Sequence, residues 1–323
     1  MNMKKVTVGI IGCGTIANGA HIPAYMKNED VEIKYFCDII PERAKEAVEK
    51  YGCGIAVEDY HDVLTDPEVE AVSVCTPNKM HATIAIDAMR AGKHVLCEKP
   101  ISLKEEDVDR IYSTAEKNNV KFMVAHVLRF WPEYAQIKDI ADSQRYGKLL
   151  SGRMTRVSEI PRRSWDGWMT DEERSGQVPF DLHIHDLDFM VYAFGKPTSV
   201  KTVRVKRPDQ DSLSAIYEYD GAFISAESAW YAPAVPFIAE FRFQFEKAVL
   251  IFDGQKLTAH EIDGTKRDLS SDSQAGASAI NLPKTNAYAN EIVYFADCVA
   301  NGKPVDKVKP EELKTVLELL NQF

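Results

Sequence analysis

From Val6 to Ala125, short runs that are apolar throughout take turns with segments whose apolar positions recur at helical spacing. Strands hydrophobic on both faces, separated by amphipathic helices, are what a parallel sheet covered on both sides requires. The pattern predicts strands at Val6–Ile11, Glu32–Asp38, Ile55–Val57, Ala71–Cys75, His94–Cys97 and Lys121–Ala125. Between them it predicts helices at Pro41–Tyr51, which opens on proline, at His81–Ala91, which stops before Gly92, and at Leu103–Asn118, which carries alternating charges on its outer face. The product is a doubly wound α/β sheet.

After Trp131 the period becomes two. SVKTVRVKR, SLSAIYEYD, AFISAESAWY, FIAEFRFQF and AVLIFD alternate polar and apolar residues and are broken by short polar turns, so they read as antiparallel strands with one wet face. Helices are expected at Phe180–Phe194, Asn286–Ala300 and Pro310–Gln322, and Ser270–Ser278 reads as a mobile loop. The change of texture, and a length of 323 residues, divide the chain into a doubly wound domain over 1–124 and an α+β domain with a large open, mostly antiparallel sheet over 125–323.

A formal charge of -10 without any basic cluster argues against nucleic acid as a partner, because that affinity rests on phosphate neutralisation by Lys and Arg. Membrane association is not expected either, since no apolar stretch is long enough to span a bilayer. The N-terminus runs straight into a strand without a cleavable leader, so a cytoplasmic protein is expected. Its six cysteines form no C-x-x-C pair and read as reduced thiols rather than disulfides or zinc ligands.

Gly12, Gly14 and Ala17 make G-x-G-x-x-A directly after the first strand. The first glycine permits a tight turn, the second lets a pyrophosphate approach the backbone, and the alanine allows close packing of helix on strand; Thr15 and Ile16 complete the loop. Asp38 ends the second strand, where a carboxylate accepts from an adenosine ribose and repels a 2′-phosphate, so NAD is preferred and NADP remains possible through Arg43. Asp38 could equally cap the helix opening at Pro41.

Lys99, in the run GKHVLCEKP, stands where an apolar strand stops, at the end of the sheet where ligands bind. In PFDLHIHDLDFMVYAFG, helical spacing puts Asp181, His185 and Asp188 on one face and turns His183 away, so the two histidines diverge and no metal site is expected. A histidine near its ordinary pKa suits the base that takes a hydroxyl proton while hydride leaves for a nicotinamide. His185 is the expected base, Asp181 its orienting carboxylate, and Lys99 the cation that steadies the developing alkoxide.

These pieces together resemble the Gfo/Idh/MocA family of glucose-fructose oxidoreductases and inositol dehydrogenases. The matching stretches are GCGTIA with His21 and Pro23, then CTPNKMHATIAIDAMRAGKHVLCEKPIS, then HVLRFWPEY, then the Asp181, His185 and Asp188 spacing. The resemblance implies a nicotinamide-binding Rossmann domain and a second domain whose exposed sheet joins copies into a homodimer or homotetramer. It implies a hydride exchange with a secondary alcohol or ketone of a sugar, sugar derivative or cyclitol. It places Thr76, Pro77, Asn78, His81 and Glu98 with Lys99 beside the cofactor, and Arg129, Trp165 and Trp168 beside the substrate. Two departures stand out: His183 occupies a position where many relatives have glycine, and only Gly176 remains of a preceding glycine pair. The resemblance also implies a short basic tail beyond Phe323. A glycosidase that oxidises its substrate transiently with bound NAD, and a non-catalytic dinucleotide sensor, are the alternative readings.

Overall fold

The structure is a computed structural model that describes residues 5–162, 164–271 and 286–323. Most of the Ser270–Ser278 segment therefore lies outside the described residues. Two compact units emerge. The first takes the described residues up to His126 together with Ala287–Pro310, and the second takes those from Val127 together with Glu311–Phe323.

In the first unit, β1 (Val6–Ile11), β2 (Val31–Cys37), β3 (Ile55–Val57), β4 (Ala71–Val74), β5 (His94–Glu98) and β6 (Phe122–Ala125) form a parallel sheet in the order β3-β2-β1-β4-β5-β6. All six residues of β1 are buried, as a central strand covered on both faces must be. Strand order reverses between β1 and β4, and the crevice outside the carboxyl ends of those two strands is where such sheets bind ligands.

The sequence assigned everything after residue 124 to one later domain, and the structure corrects this. The helix Ala287–Ala300 packs on Ile22–Lys27 and β1, burying Ala287, Ile292, Phe295 and Ala296. Its apolar face covers the nucleotide-type sheet, so sequence order and unit membership part company.

The second unit holds β7 (Leu149–Glu159), β8 (Ser199–Arg207), β9 (Gln210–Tyr219), β10 (Ala222–Tyr231), β11 (Ile238–Phe245), β12 (Ala248–Phe252), β13 (Leu257–Glu261) and β14 (Lys266–Asp268), in the order β14-β13-β12-β11-β7-β10-β9-β8. Only the β7–β10 pairing is parallel. Alternation sets the inner face: Ala239, Phe241, Phe243 and Phe245 of β11 point inward, and Gly152 of β7 makes room for them, since a Cβ there would sit 2.8 Å from the Phe243 ring. The helices Pro132–Ser143 and Ile184–Phe194 close this face through Tyr134 and Phe189, whose rings meet Phe241 and Phe243.

Candidate functional site

The loop after β1 is built around one close approach. Gly12 has φ +94°, and a Cβ on it would lie 2.6 Å from the carbonyl oxygen of Cys75, which follows β4. Gly14 is different, because a Cβ there would meet nothing within 4 Å. Asp38 reaches across from the end of β2 and accepts from the Cys13 N–H with Oδ2 (2.9 Å) and from the Ile40 N–H with Oδ1 (2.9 Å). The carboxylate thus braces the loop and turns the chain into the helix Pro41–Tyr51, and both oxygens keep further lone pairs for a ligand. Thr15 is exposed and Ile16 half-buried; the helix they open passes through a π turn, Ala17–His21, before Ile22–Lys27. Beyond β4, the Thr76 hydroxyl is buried without a protein hydrogen-bond partner, and Pro77 leads into the turn Asn78–Met80. The open space at Gly14 and the unsatisfied Thr76 hydroxyl fit a dinucleotide with its own acceptors.

His81, expected at the cofactor, is buried with Nδ1 2.7 Å from the Pro100 carbonyl and Nε2 2.8 Å from the Thr76 carbonyl. Burial holds its pKa below the ordinary value, with the two carbonyls pulling the other way. Its ring ties together the loops that follow β4 and β5, which is a shaping role. Glu98 is likewise spent internally: Oε1 lies 2.9 Å from His21 Nε2, and Oε2 accepts from the Lys99 N–H at 3.1 Å. Lys99 is half-buried at the end of β5.

In the second unit, a π turn at Pro179–His183 feeds the helix Ile184–Phe194, where the sequence implied one continuous α-helix from Phe180. Between Val178 and Val191 every residue is buried except Asp181 and His185. The three other polar side chains of this stretch point inward and are matched there. His183 sets Nδ1 3.0 Å from the Ser228 hydroxyl and Nε2 2.6 Å from the Tyr217 hydroxyl. Asp186 accepts from Arg156 at 2.7 Å through Oδ1. Asp188, expected beside Asp181 and His185, instead receives the Nε and Nη2 of Arg129 at 2.9 and 2.6 Å.

That pairing corrects the reading of Arg129 as a substrate contact. Its guanidinium is buried, forks onto Asp188, bonds Glu312, and lies 4.6 Å from the Tyr192 ring centroid. Arginine beside a motif looks the same in sequence whether it meets a ligand or a buried carboxylate. Trp165 is exposed with the Arg174 guanidinium 5.7 Å over its ring, and Trp168 is half-buried. Arg174 also holds the turn by donating to the Asp166 carbonyl and carboxylate. Sequence reasoning singled out neither His21 nor Arg156 as functional; a lone histidine in AHIPAYM and an arginine in a polar-looking strand carry no local signal of burial.

Comparison with known proteins bears on both units. Residues 6–126 match the profile described as oxidoreductase family, NAD-binding Rossmann fold, and residues 134–250 match the GFO/IDH/MocA C-terminal domain. Inositol 2-dehydrogenase of Salmonella typhimurium is 31% identical over 210 residues, covering 64% of this chain and 59% of that protein. D-glucoside 3-dehydrogenase of Escherichia coli is 30% identical over 238 residues, covering 72% of this chain and 67% of that protein. The chain thus spans less than two thirds of the length of the inositol dehydrogenase it matches. Among solved structures, levoglucosan dehydrogenase in complex with NADH and levoglucosan superposes with a TM-score of 0.85 at 22% identity, over 98% of this chain and 96% of the other.

Gly12→Ala should cost at least about 2 kcal/mol in urea denaturation, from backbone strain and the clash with Cys75. Gly14→Ala should leave that stability nearly unchanged and weaken NAD⁺ binding at least about tenfold, since its methyl group enters open space where phosphate would lie. Unaltered NAD⁺ affinity in Gly14→Ala would show that the loop cradles no pyrophosphate.

Burial, with Arg156 adding to it, pushes His183 down to about 3 from 6.5. Between those values the unfolded chain binds the extra proton, so the stabilisation is complete above the unfolded pKa and is lost as pH falls, at about 1.4 kcal/mol per unit. Going from pH 7 to pH 5, the parent should lose about 2 kcal/mol more than His183→Gln does. Parallel stability profiles for the two proteins would contradict a neutral buried ring.

Proposed function

This chain belongs to the GFO/IDH/MocA oxidoreductase family, and from that footing we propose that it is an NAD-dependent dehydrogenase of sugars, sugar derivatives or cyclitols. One observation carries the reading: on an otherwise buried stretch of helix, the two side chains left accessible are Asp181 and His185, a carboxylate one turn from an imidazole. Buried ion pairs at Asp186 and Asp188 fix the helix and leave that face to the substrate.

In this proposal a secondary alcohol loses its hydroxyl proton to His185 while its carbon loses hydride, and a ketone results. Asp181 orients the imidazole and steadies its cation once the proton arrives. Lys99 donates to the same oxygen and stabilises alkoxide character as it grows. NAD, when bound, supplies the hydride acceptor. Gly12, Gly14, Thr15, Ile16 and Ala17 would hold its phosphates, Asp38 its ribose, and Thr76, Pro77 and Asn78 the segment alongside. Asp38 favours NAD over NADP by charge, and Ile39, 71% exposed, offers a 2′-phosphate only hydrocarbon.

The substrate class draws on two supports. Inositol, glucoside and levoglucosan, named for the relatives, are all polyhydroxylated rings. Trp165 and Trp168 provide the flat apolar faces that the C–H side of such a ring packs against. No helix among the described residues is long and apolar enough to cross a membrane.

The outer face of the second sheet exposes Val203, Ile216, Phe223, Ile238 and Ile251, which the strand registers put on one side, and we infer that a second copy covers it in a homodimer, with a homotetramer built from that pair.

Incubated with NAD⁺ and a panel of sugars, glycosides and inositols, the protein should generate net NADH with at least one. A glycosidase would release sugar with none. His185→Asn should lower turnover at least about a hundredfold with NAD⁺ affinity nearly unchanged, and retained turnover would remove His185 from the reaction. In sedimentation the parent should run as a dimer or tetramer and Phe223→Lys/Ile216→Lys as a monomer; a monomeric parent refutes the sheet contact.

A further inference from the structure

The first unit contains a buried network that dinucleotide binding by itself does not call for. His21 closes the π turn after the glycine loop and is fully buried. Its Nδ1 lies 2.7 Å from the Ser73 hydroxyl on β4, and its Nε2 lies 2.9 Å from Glu98 Oε1 at the end of β5. The other oxygen of Glu98 accepts the main-chain N–H of Lys99. His21 thus links β4 to the carboxylate at the end of β5, whose far oxygen grips the backbone of the residue that carries the ammonium.

We propose that the His21–Glu98 pair is the positioning device for Lys99, fixing the lysine's main chain at the end of β5 against the helix that bears the glycine loop. Glu98 acts through the Lys99 N–H, and His21 acts through Glu98; neither is itself a catalytic residue. The proposal rests on Lys99 acting at the substrate oxygen, as proposed above.

Energetics argue that the pair does more than hold the fold. Taking both charges out of water costs several kcal/mol per ion, and well-packed apolar residues of similar volume often serve stability as well or better. What the ionic pair adds is direction: a carboxylate has two oxygens at a fixed angle, so a partner on one side sets where the other points. The groups facing Glu98 are cationic or neutral: His21 from the first helix, Lys99 on its own strand and His81 from the helix His81–Arg90. Burial opposes the charge on each partner, yet Cys75 and Glu98 hold the His21 pKa well above its ordinary value, and His21 holds that of Glu98 below its own.

The test uses the full chain with Glu98→Met, its partner change His21→Leu added in a double variant that leaves no lone buried charge, and Glu98→Gln, whose amide oxygen still accepts the Lys99 N–H. Three quantities are read: NAD⁺ affinity, hydrogen exchange at the Lys99 amide, and kcat with KM on a polyol the parent oxidises. In Glu98→Met and the double variant, NAD⁺ affinity should stay within about threefold, and the Lys99 amide should exchange roughly tenfold faster for its lost hydrogen bond. Their kcat should fall about a hundredfold with KM for NAD⁺ little changed. Glu98→Gln should recover both amide protection and most of kcat.

A Lys99 amide that stays protected in the apolar variants overturns the proposal. So does a kcat within threefold of the parent despite a released amide, and so does failure of the double variant to fold, which would make the pair a prop of the fold. If the parent oxidises no polyol, the dehydrogenase reading fails, while the amide measurement still decides whether Glu98 anchors Lys99.

Discussion

The close passage of Gly12 against the Cys75 carbonyl is the constraint on which the nucleotide end of this protein depends. It is possible only without a side chain, and it brings the ends of β1 and β4 together at the point where strand order reverses. Once the chain turns there, the Cys13 N–H is presented to Asp38 and the helix through Ala17 starts in the right place. A sheet of similar strands with any other residue at position 12 would have to part β1 from β4.

The second unit solves a different problem, how to keep a short stretch of helix immobile while leaving two of its polar side chains accessible. It does so by burying three others and giving each a partner on the sheet or a neighbouring helix: His183 on Ser228 and Tyr217, Asp186 on Arg156, Asp188 on Arg129. Buried polar groups are costly when unmatched, so each pairing fixes rotation of the helix about its axis. Asp181 and His185 inherit their exposure from that fixed rotation.

How legible this was in the sequence follows from whether the deciding interaction is local. The six parallel strands stand within a residue or two of their apolar runs, because in β1, β4, β5 and β6 burial on both faces writes itself into consecutive positions. The strand β7 went unread although it lies at the centre of its sheet: Gly152 and Arg156 occupy inward positions, and their reasons, the Phe243 ring and the Asp186 carboxylate, are far away in sequence. Arg129 was misplaced for the same cause, since its partners Asp188 and Glu312 are 59 and 183 residues distant. The spacing of Asp181 and His185 was readable, whereas the π turn that precedes Ile184 was not.

The helix Ala287–Ala300 completes the first unit with residues that follow the whole second sheet in the chain. The nucleotide-type sheet is consequently not a self-sufficient N-terminal fragment: cut after His126, it would show water the hydrocarbon that Ile292 and Phe295 otherwise cover. On the ribosome its early strands must wait, partly uncovered, until this distant helix has emerged, and during that interval chaperones have an apolar surface to hold.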